Sequence, residues 1–164
     1  MKTYSLFIIK PGYLKKKMEV INLLKENEIR LVAMAETVLS KEQAERHYQE
    51  HYGKPFYQTL LDYMTTGEVK GIYSFDPTSV KMVVTSGLEN ETEEEFIARS
   101  RKVVKEVLRP ALSFNRRKFP KLSDEEFKEL TMTANGIHAS DSPESAKREI
   151  ENLFPGYIPE QELE

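Results

Sequence analysis

Three times along this chain a Ser or Thr stands three residues ahead of a Glu or Gln, just before a helical run. These are Ser40-Lys41-Glu42-Gln43, Thr92-Glu93-Glu94-Glu95 and Ser123-Asp124-Glu125-Glu126. In such a capping box the hydroxyl accepts an otherwise unpaired N–H of the first turn, and the Glu or Gln reaches back to the cap's own N–H. Each box therefore pins a helix start. A fourth start is marked by Ser142-Pro143, with proline at the first helical position, where its missing N–H costs nothing.

Between these starts lie short runs of strand-forming residues: Thr3 to Ile9, Ile29 to Leu39, Val80 to Thr85 and Leu130 to Ala134. Helices are further predicted from Met18 to Asn27, where Val20, Ile21, Leu23 and Leu24 recur at helical spacing, and from Pro55 to Thr66, closed by Gly67. The Ser40 helix should run to about Glu50 and the Thr92 helix to about Leu108. Residues 110–123 read as an irregular basic loop, and the polar tail after Pro155 as extended over the surface. Strands interleaved with helices predict an α/β (α+β) chain. The order fits a ferredoxin-like βαββαβ sandwich, a four-stranded antiparallel sheet covered by helices.

At 164 residues the expectation is a single domain over 1–164. No apolar run approaches the roughly 20 residues of a membrane helix, and Leu6 to Ile9 is too short for a signal-peptide core. Cysteine is absent, which excludes disulfides and thiolate chemistry and suits a cytoplasmic protein. A formal charge of −3, from 24 basic and 27 acidic residues, argues against nucleic acid as a partner. A local basic cleft for a phosphorylated ligand stays compatible with it.

Of the three histidines, His47 and His51 lie on a charged helical stretch and read as solvated or structural. His138 stands in the small, polar run Asn135-Gly136-Ile137-His138-Ala139-Ser140-Asp141, just before a capped helix. By itself it is as well explained as a turn residue as by nucleophilic or proton-carrying work. Glu149, eleven residues on, is placed to hold one ring nitrogen and free the other, or to pair with Lys147 or Arg148 on the helix surface. Arg101 falls beside the apolar stripe of Ile97, Val104 and Leu108. There it either lets its stem pack and its head reach solvent, or meets a phosphate with its fork of donors.

The run from Asn135 to Asp141 resembles the signature of nucleoside diphosphate kinases. So do, in order, Ile9-Lys10-Pro11, Ile29 to Met34, His47-Tyr48, Pro55-Phe56-Tyr57 and Ser145 to Ile150. The resemblance implies a ping-pong phosphotransferase in which His138 takes the γ-phosphate of a nucleoside triphosphate and passes it to a nucleoside diphosphate. It implies Lys10 at the transferring phosphoryl with Tyr48 supporting it, Phe56 stacked on the base, and Asn135 at the ribose 3′-hydroxyl. Glu149 and Ser140 would orient the imidazole, and Arg101 would hold phosphates. Arg116 would be the second phosphate arginine because Phe119 follows at the right offset, with Arg117 as competitor. Mg²⁺ would be held mainly by the nucleotide phosphates, with no protein metal ligand, and the protein would be a homo-oligomer, a dimer-based tetramer or hexamer.

The chain departs from that pattern. The loop after Lys10-Pro11 is shorter and lacks its acidic residue, residues 68–79 and 120–129 read as insertions, and residues near 91–95 as another. Leu108-Arg109-Pro110 to Phe119 replaces the usual phosphate loop and offers no threonine for that role. The alternatives are a catalytically weak nucleotide-binding regulatory module on the same fold, and a protein-histidine phosphotransferase.

Overall fold

The computed structural model describes residues 3–154, so the expected surface path of the tail after Pro155 lies outside the described residues. In β1 (Tyr4–Ile9), Leu6, Phe7, Ile8 and Ile9 are all fully buried. Successive side chains of a strand point to opposite faces, so the sheet is covered on both sides here. β1 pairs antiparallel with β5 (Val80–Ser86) on one side and with β6 (Ile137–Ala139) on the other. β5 pairs antiparallel in turn with β2 (Arg30–Thr37). The order β2-β5-β1-β6 is that of the ferredoxin-like sandwich. β2, the outer strand, is only partly buried along its length.

The capping boxes act as read. Ser40, Thr92 and Ser123 open α2 (Lys41–His47), α4 (Glu93–Val103) and α6 (Asp124–Thr133), each with both reciprocal bonds made. Ser142 caps α7 (Pro143–Leu153), with Pro143 first. α1 (Lys17–Glu26) links β1 to β2, and α3 (Tyr57–Thr66) ends at Gly67. Residues 68–79 contain a small hairpin of β3 (Glu68–Val69) and β4 (Tyr73–Ser74).

Two expectations give way. Residues 130–134 are not a strand: α6 runs through Thr133, burying Leu130 and Thr133, and the fourth strand is Ile137–Ala139. Once the Ser123 box has started a helix, each added residue gains a hydrogen bond, which overrides the weak strand preference of Leu-Thr-Met-Thr. The second correction concerns the long helix, which does not stop before Pro110. It passes through one π-helical turn, Val104–Leu108, into α5 (Arg109–Leu112). Pro110 has no N–H, and its ring crowds the Glu106 carbonyl four residues back, so the preceding turn widens.

Among the described residues no helix is long and apolar enough to cross a membrane.

Candidate active site

The pairing of β1 with β6 sets His138 opposite Ile8. The backbone N–H of Lys10, just past β1, donates to the Gly136 carbonyl at 2.9 Å. Gly136 has φ +94°, and a Cβ there would press on Leu112 and Tyr13, so the tight entry to β6 requires glycine. Thus a strand register joins two residues at opposite ends of the chain. The Tyr63 hydroxyl donates to the Pro11 carbonyl at 2.7 Å and holds the turn behind Lys10.

Lys10 is buried, and its ammonium donates to Asn135 Oδ1 at 2.7 Å. Burial, and then the neighbouring Arg109 guanidinium, bring its pKa down to about 7. Asn135 keeps its amide N–H₂ for other acceptors.

His138 is oriented from α7. Its Nε2 lies 2.9 Å from Glu149 Oε1, and the Ser140 hydroxyl donates to the same oxygen at 2.8 Å. A carboxylate only accepts, so the ring hydrogen is assigned to Nε2, and Nδ1 is the nitrogen with a free lone pair. Ser140 is itself fixed twice: its Oγ accepts from the Leu6 N–H at 3.0 Å, and its own N–H donates to the Leu6 carbonyl at 3.1 Å. Glu149 is buried beside Ala146, Ile150 and Leu153. The surface pairing with Lys147 or Arg148 is not made: Arg148 bonds Glu50 at 2.6 Å instead.

Two cavities meet at His138 and Tyr48. One, of about 510 Å³, is lined by Lys10, Phe56, Asn135 and His138 among others. The other, of about 530 Å³, is lined by Arg101, Lys102, Lys105, Arg109, His138 and Glu149 among others. Phe56 is 45% exposed at the first, with its ring edge-on to His51. Arg101 is exposed rather than packed into the apolar stripe, at the rim of the second.

Two residues behave differently from the sequence reading, and a third settles between its alternatives. His47 is structural rather than solvated: it is buried, its ring edge-to-face with His138 at 4.7 Å between centroids, and its Nδ1 has no hydrogen-bond partner among the described residues. Burial foremost, then His138, Lys10, Arg148 and His51, hold its pKa well below the usual histidine value. Its place was legible in the spacing Ala44-His47-Tyr48, which puts all three on one helical face. Tyr48 makes no hydrogen bond to Lys10; its buried hydroxyl is unpartnered among the described residues, and burial and Glu149 raise its pKa. Arg116 lies away from His138. It donates to the carbonyls of Phe119 and Leu122, both at 2.7 Å, and to Asp124 at 3.1 Å, over the face of Phe127. Three local acceptors and a ring claim its guanidinium, which lines neither cavity. Arg117 is exposed and lines neither as well.

Among the described residues, His47, His138 and Glu149 offer ligand atoms within 4.8 Å of one another. Two imidazoles and one carboxylate form a nitrogen-rich set, whereas Mg²⁺ takes oxygen ligands and waters. That cluster does not suit Mg²⁺.

The sequence profile of the family described as "Nucleoside diphosphate kinase" matches residues 3–157. The chain belongs to the nucleoside diphosphate kinase family. A relative named nucleoside diphosphate kinase from Methanocaldococcus jannaschii is 33% identical over 156 residues, covering 94% of each chain. One of the same name from Hydrogenovibrio crunogenus is 32% identical over 155 residues, covering 93% of this chain and 92% of its own. The crystal structure of the Aquifex aeolicus nucleoside diphosphate kinase superposes with a TM-score of 0.64 at 22% identity. It covers 95% of this chain and 97% of that one, and at this identity it speaks for the fold. Membership makes the chain a phosphotransferase, and the oriented histidine between two cavities is the place to look for its chemistry.

Proposed function

We propose that the chain transfers the γ-phosphate of a nucleoside triphosphate to a nucleoside diphosphate by a ping-pong route through phosphohistidine on His138. The observation that carries it is the Glu149–His138 pair, which leaves Nδ1 free at the meeting of two cavities. In the first half-reaction the Nδ1 lone pair attacks the γ-phosphorus. An N–P bond forms as the bond to the β,γ-bridging oxygen breaks, and the diphosphate leaves with that electron pair. In the second half a terminal oxygen of another nucleoside diphosphate attacks the same phosphorus, and Nδ1 recovers its lone pair.

In this reading Glu149 and Ser140 keep the ring aligned and stabilise the charge that develops on it. Lys10 takes up a proton as phosphate arrives and neutralises the transferred group. Asn135, held by Lys10, presents its amide to the ribose, Phe56 stacks on the base, and Arg101 holds phosphates. Tyr48 walls the site between the cavities. Mg²⁺ would arrive on the nucleotide's phosphates, with no protein residue assigned to hold it, and would supply neutralisation of their charge. The proposal includes a dimer-based tetramer or hexamer, for which the partly exposed β2, with Met34 and nearby Val38 in solvent, offers a surface. With these substrates it also carries a cytoplasmic location.

The test is to mix the protein with γ-labelled ATP and Mg²⁺, remove nucleotide, and look for acid-labile label, with His138→Ala alongside. Label on the wild type that GDP discharges to GTP, absent from the variant, is the expected result. Label that GDP does not discharge would point to another acceptor.

A further inference from the structure

Arg109 is the residue that neither the sequence pattern nor the family resemblance singles out. It is the first residue of α5, delivered by the π-helical turn Val104–Leu108 to the wall of the cavity that His138 also lines. A π-helical turn advances each side chain by less rotation than an α-turn, so residues beyond it face a different direction from the one α4 alone would set. Here Arg101, before the turn, and Arg109, after it, line the same cavity.

The other arginines with bonded guanidinium groups are held by protein acceptors. Arg99 is held by Glu91 and the carbonyls of Asn27 and Glu28, Arg148 by Glu50, and Arg116 as described above. Arg109 has no hydrogen bond or ion pair among the described residues. The carboxylates of its cavity do not serve it. Glu149 is engaged with His138 and Ser140, Glu50 with Arg148, and neither Glu106 nor Asp141 forms an ion pair with it.

An exposed guanidinium whose five donors no protein group claims, on the same cavity wall as Arg101, presents a second cation there to a polyanion. Two like charges held together weaken each other until an anion enters between them. Resting on the phosphotransfer reading of the same site, we propose that Arg109 binds the phosphates of the nucleotide together with Arg101, as the second phosphate arginine of this protein in place of Arg116. The loop between them explains the exchange: the residues after Leu112 turn Arg116 towards Phe127, while Pro110 widens the helix and presents Arg109.

Titration of full-length wild type, Arg109→Ala and Arg109→Lys with Mg·ADP and with adenosine, together with thermal melting, tests this. The expected result is a roughly 10- to 100-fold loss of ADP affinity in Arg109→Ala, the size of a charge-assisted contact. Adenosine affinity should not change, and Arg109→Lys should recover part of the loss. Equal weakening of ADP and adenosine, in either variant, would overturn the proposal in favour of a structural role, as would ADP affinity at the wild-type value in Arg109→Ala. If Arg109→Ala does not fold, Arg109→Lys decides, because it keeps the stem and the charge but loses the fork. Failure of the wild type to form phosphohistidine from ATP would overturn the phosphotransfer reading alone, leaving the ADP comparison to stand.

Discussion

The imidazoles of His47 and His138 stand edge to face, 4.7 Å apart, and the inner ring is the one that burial keeps neutral. His47 thus walls the reactive ring without placing a second positive charge beside it.

That neutrality has a cost at low pH. The unfolded chain takes up a proton on His47 as pH falls through about 6.5, while the folded chain does not, so stability falls with pH below that value. Urea midpoints should drop between pH 7 and 5, and His47→Gln should flatten that drop. An equally steep drop in the variant would exclude His47 as its source.

Lys10 is lowered by burial in the same way, in a higher pH range. With its pKa lowered to about 7, only about a tenth of it is charged at pH 8 in the empty protein, and phosphates restore the charge. Calorimetry of Mg·ADP binding at pH 8 in buffers of different ionisation enthalpy should show nearly one proton taken up, and Lys10→Met should abolish it. Without ligand the sign is also set: between about pH 7 and 10.5 the unfolded chain holds the extra proton, so stability attributable to Lys10 rises with pH.

Glu149→Gln keeps the size of the side chain but removes its charge. The rate of His138 phosphorylation by ATP should fall roughly 10- to 100-fold while ADP affinity is retained. A fall in affinity with the rate preserved would assign Glu149 to binding.

Arg116→Ala removes two bonds to backbone carbonyls and the contact over Phe127. It should lower stability by about 1–2 kcal/mol and leave ADP affinity unchanged. A selective loss of ADP affinity would return Arg116 to the phosphates.

How much of this was legible depended on range. Capping boxes are local, three residues across, and all three opened helices as written. His138, Ser140 and Glu149 lie within one short stretch, so their grouping was also readable. The strand Ile137–Ala139 was not, because three residues carry no periodicity and it exists only by pairing with β1.

The linear order of residues therefore determined where the capped helices begin and carried the resemblance to the family. Tertiary structure decided that His47 is buried, that Lys10 reaches Asn135, and that Arg109 rather than Arg116 faces the cavity of His138. Capping depends on neighbours along the chain, whereas burial and the direction of a long side chain depend on what packs against it from elsewhere.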